Sequence, residues 1–255
     1  MFRKFRILLL LVVLATVGLA SWRASSRLTS WQHTVHVALY PVAADDSPDT
    51  QRYVASLNQE SFEEIGEWVA AEVRRYGKTV LQPVVIRVAP PLREQPPAIP
   101  VRGSALDNIL WSLKLRWWAS QNDAIAGPKP MVRLYVLYHD PERTPSAPHS
   151  TGLENGQIGI IHAYASRRQH RQNAIVIAHE MLHTFGASDK YNLSTLQPIA
   201  PDGLADPERT PLYPQRQAEI MAGRVALAAD RAETPPRLVD TLIGPATARE
   251  IGLLN

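Results

Sequence analysis

The sequence predicts an α+β fold in which a β-sheet packs against helices within one domain. Short runs rich in β-branched and aromatic residues are typical of strands, and they alternate with longer segments whose apolar residues recur at helical spacing. The chain has 255 residues, of which 45% are hydrophobic, so one sizeable core is expected. We therefore expect a single domain over residues 25–255.

Residues 1–24 are predicted to form a separate export element. Phe2 to Arg6 is basic, and Ile7 to Ala20 is an unbroken apolar run. Such a segment is either a cleaved signal peptide or an uncleaved anchor that holds residues 7–22 in the inner membrane. Both alternatives predict export of the domain to the periplasmic or extracellular face, because positive charge stays inside.

Four segments of the domain are predicted to be strands, because each is a short run of β-branched and aromatic residues. They are Thr34 to Tyr40, Pro83 to Val88, Met131 to Tyr138 and Gly156 to Tyr164. The last of these is rich in glycine, which lets a second backbone approach closely.

The helices are predicted from apolar stripes and from the residues at their ends. Asp49 to Tyr76 is expected to be one long helix, because Gly77 ends it and apolar residues recur along it at helical spacing. Ser104 is expected to cap a helix that runs to Ser120 and buries Trp111, Leu115 and Trp118. Pro245 to Leu254 is expected to be a short C-terminal helix.

Composition narrows the classes of function. The chain has no cysteine, so disulfides and thiolate metal ligands are excluded. The net charge is only +3, which gives no reason to expect binding to nucleic acid.

The most informative stretch runs from His179 to Asp189 and has the pattern H-E-x-x-H-x-x-G-x-x-D. Residues four apart lie on one face of a helix, so His179 and His183 can present two imidazoles to one metal ion. Gly186 permits the left-handed turn that ends a helix and can return Asp189 as a third ligand. Three protein ligands and one open position are typical of catalytic zinc. Glu180 stands beside the first ligand, where it can act as a general base.

This stretch resembles the signature of the metzincin clan of zinc endopeptidases, and its Asp version is similar to the snapalysins and the immune-inhibitor-A-like peptidases. The resemblance implies a zincin-like fold with a twisted mixed β-sheet, an active-site helix, a Met-turn and a C-terminal helix. It also implies one catalytic Zn²⁺ and endopeptidase activity. In metzincins the strand before the active-site helix is the edge of the sheet, so the resemblance implies that Gly156 to Tyr164 is an edge strand that pairs with an extended peptide or protein substrate. Met221, within Glu219 to Gly223, is the candidate for the Met-turn.

Tyr191 follows the third candidate ligand closely, as a Tyr does in the Asp-type families. The resemblance makes it a candidate for stabilising the oxyanion, and packing is the alternative role for this side chain. Some metzincins use a Tyr two residues after the Met for this purpose, but Gly223 occupies that position here.

Two other functions fit the same motif. In a gluzincin-type peptidase the third ligand would be a Glu further downstream, for which Glu208 and Glu219 are the candidates. A zincin-fold protein of the cell envelope could also bind zinc without catalysing a reaction. The presence of Glu180 disfavours this second alternative, because a structural site needs no general base.

Overall fold

The computed structural model describes residues 26–100, 103–148, 150–153 and 157–254, together with the isolated positions 6, 11, 12, 16, 18 and 19. A five-stranded mixed sheet with the order β2-β1-β3-β5-β4 lies at the centre of the domain. The strands are β1 (Val35–Ala43), β2 (Val84–Val88), β3 (Val132–His139), β4 (Thr151–Leu153) and β5 (Ile158–Tyr164). Strands β1, β2, β3 and β5 run parallel to one another, and β4 runs antiparallel to β5.

Helices cover both faces of this sheet. They are α1 (Pro48–Ser56), α2 (Glu63–Arg75), α3 (Ala105–Gln121), α4 (His170–Thr184) and α5 (Pro245–Glu250). The larger core contains residues of α1, α2, α4 and the segment that includes α5, packed against one face, and the smaller core joins α3 to the other. Parallel strands that are buried on both faces read as nearly continuous apolar runs, as β3 does. The mixed sheet with its helices agrees with the predicted α+β class.

The four predicted strands and the capped helix are present within a few residues of their expected bounds. Ser104 and Asp107 form a capping box at the start of α3, and Trp111, Leu115 and Trp118 are buried as predicted. The C-terminal helix is shorter than expected and ends at Glu250, although Ile251 beyond it is fully buried.

The prediction of one helix from Asp49 to Tyr76 is wrong. Leu57 adopts an extended backbone conformation that ends α1. The Asn58 side chain then accepts a hydrogen bond from the Ser61 N–H at 3.1 Å, and a 3-10 helix over Glu60–Phe62 leads into α2. Both shorter helices contribute buried residues to the larger core on one face of the sheet.

The prediction that Gly156 to Tyr164 is an edge strand is also wrong, and Gly156 itself lies outside the described residues. The outer side of β5 is occupied over Ile158 to Ile160 by β4. Farther along, the Asn173 side chain bonds to both the N–H and the carbonyl of Tyr164. Because β4 ends the strand order, it forms this edge of the sheet, next to α4.

Small strands complete the fold after α4. They are β6 (Ala218–Glu219), β7 (Val225–Ala228), β8 (Arg231–Glu233) and β9 (Thr241–Leu242), and they pair as β6 with β9 and β7 with β8. Most of the predicted export element, residues 1–24, lies outside the described residues. Within the described part of the chain, no helix has the length and apolar character needed to cross a bilayer.

Candidate metal centre

The helix α4 brings the two histidines of the motif together. Its buried apolar residues join the larger core, whereas His179 and His183 are only partly buried. The Nε2 atoms of His179 and His183 lie 3.1 Å apart, with the two rings nearly perpendicular. The i, i+4 spacing therefore produces the convergence that the sequence predicts.

Asp189 reaches the same point through a tight turn. Gly186 has a φ of +99°, a value that glycine adopts without strain, and it follows the last residues of the helix directly. The Asp189 Oδ1 atom lies 3.1 Å from His179 Nε2 and 3.3 Å from His183 Nε2. Three potential ligand atoms thus converge from one helix and the turn that ends it.

Backbone carbonyls fix both imidazole rings. The Nδ1 atom of His179 is 2.9 Å from the Ile220 carbonyl oxygen, and that of His183 is 2.8 Å from the Ala187 carbonyl oxygen. Only a protonated nitrogen can donate to a carbonyl, so each Nδ1 carries a proton. In the neutral tautomer the Nε2 lone pairs therefore face each other and Asp189, as is usual for histidines that bind metal.

The electrostatics of this cluster favour positive charge at its centre. Burial raises the pKa of Asp189, but the hydrogen bonds and charges of the two histidines outweigh it and hold this pKa well below its usual range. Burial lowers the pKa of His183, yet the bonds to Asp189 and the Ala187 carbonyl leave it above its usual value. The Nε2 lone pairs of the two histidines and the Asp189 carboxylate converge on one point. A cation bound there would stabilise this arrangement.

Glu180 completes the group on the buried side. Its side chain is 8% exposed, and its Oε2 atom has no hydrogen-bond partner in the part of the chain that the structure describes. Burial raises the pKa of Glu180, although the neighbouring histidines oppose this shift. His179, Glu180 and His183 offer ligand atoms within 4.8 Å of one another, so this group could hold a metal ion.

Two carboxylates therefore border the same pair of histidines. Asp189 makes direct contact with both Nε2 atoms, whereas Glu180 lies beside them with an unpaired oxygen. Asp189 is within 3.3 Å of both nitrogen atoms, and the nearest Glu180 oxygen is within 4.8 Å of them.

The backbone of the predicted methionine turn makes hydrogen bonds to the residues of the candidate centre. Met221 is fully buried, and the turn closes through bonds from the Ala222 and Gly223 N–H groups to the Glu219 carbonyl. The carbonyl of Ile220 holds His179, and the carbonyl of Met221 accepts from the N–H of Lys190, next to Asp189. The turn thus positions two of the three converging side chains through its backbone.

Glu219 holds this turn, because both of its carboxylate oxygens accept hydrogen bonds from donors outside the candidate metal centre. Its Oε2 accepts from the Ala222 N–H, and its Oε1 accepts from the Gly244 N–H and the Thr247 hydroxyl. Burial raises the pKa of this fully buried carboxyl, while these hydrogen bonds oppose the shift. Glu208, the other downstream candidate, is exposed on the loop before β6.

Replacing Glu219 should cost the fold stability. Glu219→Ala leaves two buried donors, the Gly244 N–H and the Thr247 hydroxyl, without an acceptor, whereas the Ala222 N–H keeps its bond to the backbone carbonyl of residue 219. Each donor left unpaired costs about 1–3 kcal/mol, so we expect urea denaturation to give a free energy of unfolding lower by about 2 kcal/mol or more. The exposed Glu208→Ala is the matched control and should change it by less than about 0.5 kcal/mol. Equal losses in the two variants would show that the Glu219 bonds do not stabilise the turn.

An ion pair between Lys190 and Glu250 fixes the turn around Asp189. The Lys190 ammonium donates to both carboxylate oxygens of Glu250 at 2.8 Å and to the Ser188 carbonyl at 2.9 Å. Glu250 also accepts from the Ser188 N–H and hydroxyl. This interaction ties α5 to the segment that carries Asp189.

Tyr191 lies near the centre but does not contact the converging nitrogen atoms as Asp189 does. Its ring centroid is 6.4 Å from that of His179, with the planes tilted by 45°. Burial raises the pKa of Tyr191, and the negative charges of Asp189 and Glu180 add to the shift. The phenol is therefore protonated at neutral pH and can act as a hydrogen-bond donor.

The sequence identified the converging side chains of this centre, but it did not identify the groups that hold them in place. The carbonyls of Ile220 and Ala187 carry no side-chain signal, so the motif could not reveal them. Lys190 and Glu250 are charged residues far apart in the chain, and nothing in their spacing predicts that they pair.

Comparison with known proteins adds no relative. No protein-family model matches the sequence, and no curated protein sequence is significantly similar to it, so function must be inferred from the geometry described above.

Proposed function

We propose that this protein is an exported zinc endopeptidase with a metzincin-like fold. The observation that carries the proposal is the convergence of His179, His183 and Asp189 beside the unpaired, buried oxygen of Glu180. Burying the Glu180 carboxylate with an unpaired oxygen costs free energy. A non-catalytic site would have no use for this carboxylate.

The donor set fits zinc. The two Nε2 atoms are 3.1 Å apart, close to the roughly 3.3 Å expected for nitrogen ligands at about 2.0–2.1 Å on a tetrahedral ion. Two imidazoles and one carboxylate suit zinc, and carbonyl groups orient both imidazoles from behind. When bound, zinc would supply a Lewis acid that polarises a carbonyl group and lowers the pKa of water.

The residues of the chain supply the proton transfers and the positioning. Glu180 accepts a proton at its unpaired oxygen from the attacking water and later donates it to the leaving amine. Its raised pKa makes Glu180 a stronger base than an exposed glutamate, which favours the first of these steps. Tyr191, protonated and close by, is the candidate donor to the oxyanion.

Two features of the fold agree with the metzincin resemblance. The fully buried Met221 turn supports the centre through the backbone of Ile220, and α5 follows it at the end of the chain. The Glu219 carboxylate is engaged by three donors within the turn and α5, which disfavours the gluzincin alternative.

The proposed substrate is an extended peptide or protein segment. β4 forms the edge of the sheet next to α4, so its backbone is the one that can pair with such a segment. This assignment replaces the predicted pairing with β5, whose outer side is occupied by β4 and Asn173.

The basic segment Phe2 to Arg6 and the apolar run Ile7 to Ala20 support the export part of the proposal. A reporter enzyme that is active only outside the cytoplasm, fused after Asn255, should be active. Activity of a cytoplasm-only reporter at the same position would contradict export.

A digest of a diverse peptide library by the zinc-loaded protein tests the reaction. We expect cleavage at internal peptide bonds, read by mass spectrometry, with loss of cleavage on adding a chelator and recovery on adding zinc. Cleavage that persists with all metal removed would contradict the proposal, and so would intact peptides at full zinc occupancy.

A further inference from the structure

A stripe of large apolar side chains lies exposed along α3. We call it the outer stripe, and it consists of Leu106, Ile109, Leu110, Leu113 and Trp117. Each of these side chains is between 56% and 66% exposed, whereas single exposed apolar residues are the norm on soluble domains. A continuous apolar stripe on one exposed helix face indicates a surface that contacts a binding partner.

The geometry of α3 separates this stripe from the core. At 3.6 residues per turn, its five positions fall within an arc of about 100°. The buried residues Trp111, Leu115 and Trp118 lie roughly opposite, against the sheet. The helix is therefore apolar on two opposite faces. One face packs in the core, and the outer stripe stays exposed.

Basic residues border the outer stripe on both sides. Lys114 and Arg116 are exposed and fall on opposite flanks of the stripe. The carboxylate of Asp107, on the same helix, is engaged in the N-terminal capping box. An apolar stripe with an aromatic residue and with cations on both flanks is typical of helices that lie in a membrane interface.

We propose that the outer stripe of α3 docks on an anionic lipid surface, with its apolar side chains in the acyl boundary and with Lys114 and Arg116 at the headgroups. Long basic side chains can extend along apolar surface while their charges stay at the headgroups. The apolar run Ile7 to Ala20 independently directs the chain to a membrane. A second copy of the chain fits less well, because it would bring two basic flanks of the same charge against each other.

Single labels on the full chain test the docking. The chain has no cysteine, so Leu113→Cys can carry one environment-sensitive dye. Leu81→Cys is the matched control, because Leu81 is 84% exposed and lies away from α3, beside β2. Both proteins are reconstituted in vesicles of phosphatidylglycerol and phosphatidylethanolamine, with brominated lipids as quenchers.

We expect the label at position 113 to shift to the blue and to be quenched, while the label at position 81 stays in water. The additional changes Lys114→Gln and Arg116→Gln should shift the docking equilibrium by about 30-fold towards the undocked state. Neutral phosphatidylcholine vesicles should give weaker quenching than anionic ones.

Equal exposure of the two labels in anionic vesicles would overturn the proposal. Self-quenching between labels at position 113 in detergent, independent of lipid, would also overturn it and would indicate a dimer through α3. Because none of these measurements uses hydrolysis, the result is independent of the proposed peptidase activity.

Discussion

Glu180→Gln should remove nearly all hydrolysis and leave metal binding intact. The amide has the size of the carboxylate but cannot accept the proton that the attacking water must lose, so we expect kcat to fall by about 10²–10⁴-fold. KM should change little, because the side chain is assigned to proton transfer and not to substrate binding. Rates on one cleaved peptide and zinc content, measured on the same sample, provide both readouts.

The same variant should fold at least as well as the parent. Glu180 is 8% exposed, and one of its oxygens has no partner among the described residues, so burial of its charge costs free energy. Removing that charge should raise the thermal midpoint of the metal-free protein or leave it unchanged. A lost activity therefore cannot be attributed to unfolding.

Glu67→Gln serves as the control for the substitution itself. Glu67 is exposed on α2, so its amide should leave rate and zinc content unchanged. Parental turnover by Glu180→Gln would exclude the proposed proton transfer. Loss of zinc from that variant would instead assign Glu180 as a ligand, and Asp189 would then need another role.

Much of this centre was accessible from the sequence because it is local. His179, His183 and Asp189 lie within a single helix and its closing turn, where spacing alone determines which side chains meet. The positive φ of Gly186 follows from the same local rule. Long-range support, such as the Ile220 carbonyl behind His179, depends on how the chain returns and has no such rule.

The two errors in the fold have a similar cause. The break at Leu57 has no proline or glycine to mark it, and its one signal is Asn58 three residues before Ser61. The strand β4 has only three residues within a polar segment, so no alternating pattern identifies it. The edge position of β5 was expected from the metzincin resemblance alone, and here β4 lies outside it.

Asp189→Ala should weaken zinc binding severely. Its Oδ1 lies within 3.3 Å of both Nε2 atoms, so the substitution removes one of three converging ligand atoms and the only negative charge among them. Loss of a residue that only hydrogen-bonds to a metal ligand typically lowers metal affinity 10- to 100-fold. Loss of a ligand itself should lower the affinity by more than this. His179→Ala and His183→Ala should show losses of the same order.

The turn itself should survive this change. Lys190 and Ser188, the neighbours of Asp189, remain tied to Glu250, and the Lys190 N–H remains bound to the Met221 carbonyl. A circular dichroism spectrum and a thermal midpoint close to those of the parent would confirm that the lost affinity reflects a missing ligand.

Glu208→Gln and Glu219→Gln then separate the two peptidase classes. Both should retain zinc in a competition titration against a chelator, performed well below the unfolding midpoint of the less stable Glu219 variant. Glu208 is exposed, and Glu219 is already engaged by Ala222, Gly244 and Thr247, so neither carboxylate is available to the histidines. If Asp189→Ala bound zinc like the parent while either glutamine variant lost it, the metzincin assignment would fail. A downstream glutamate would then be the third ligand, as in a gluzincin.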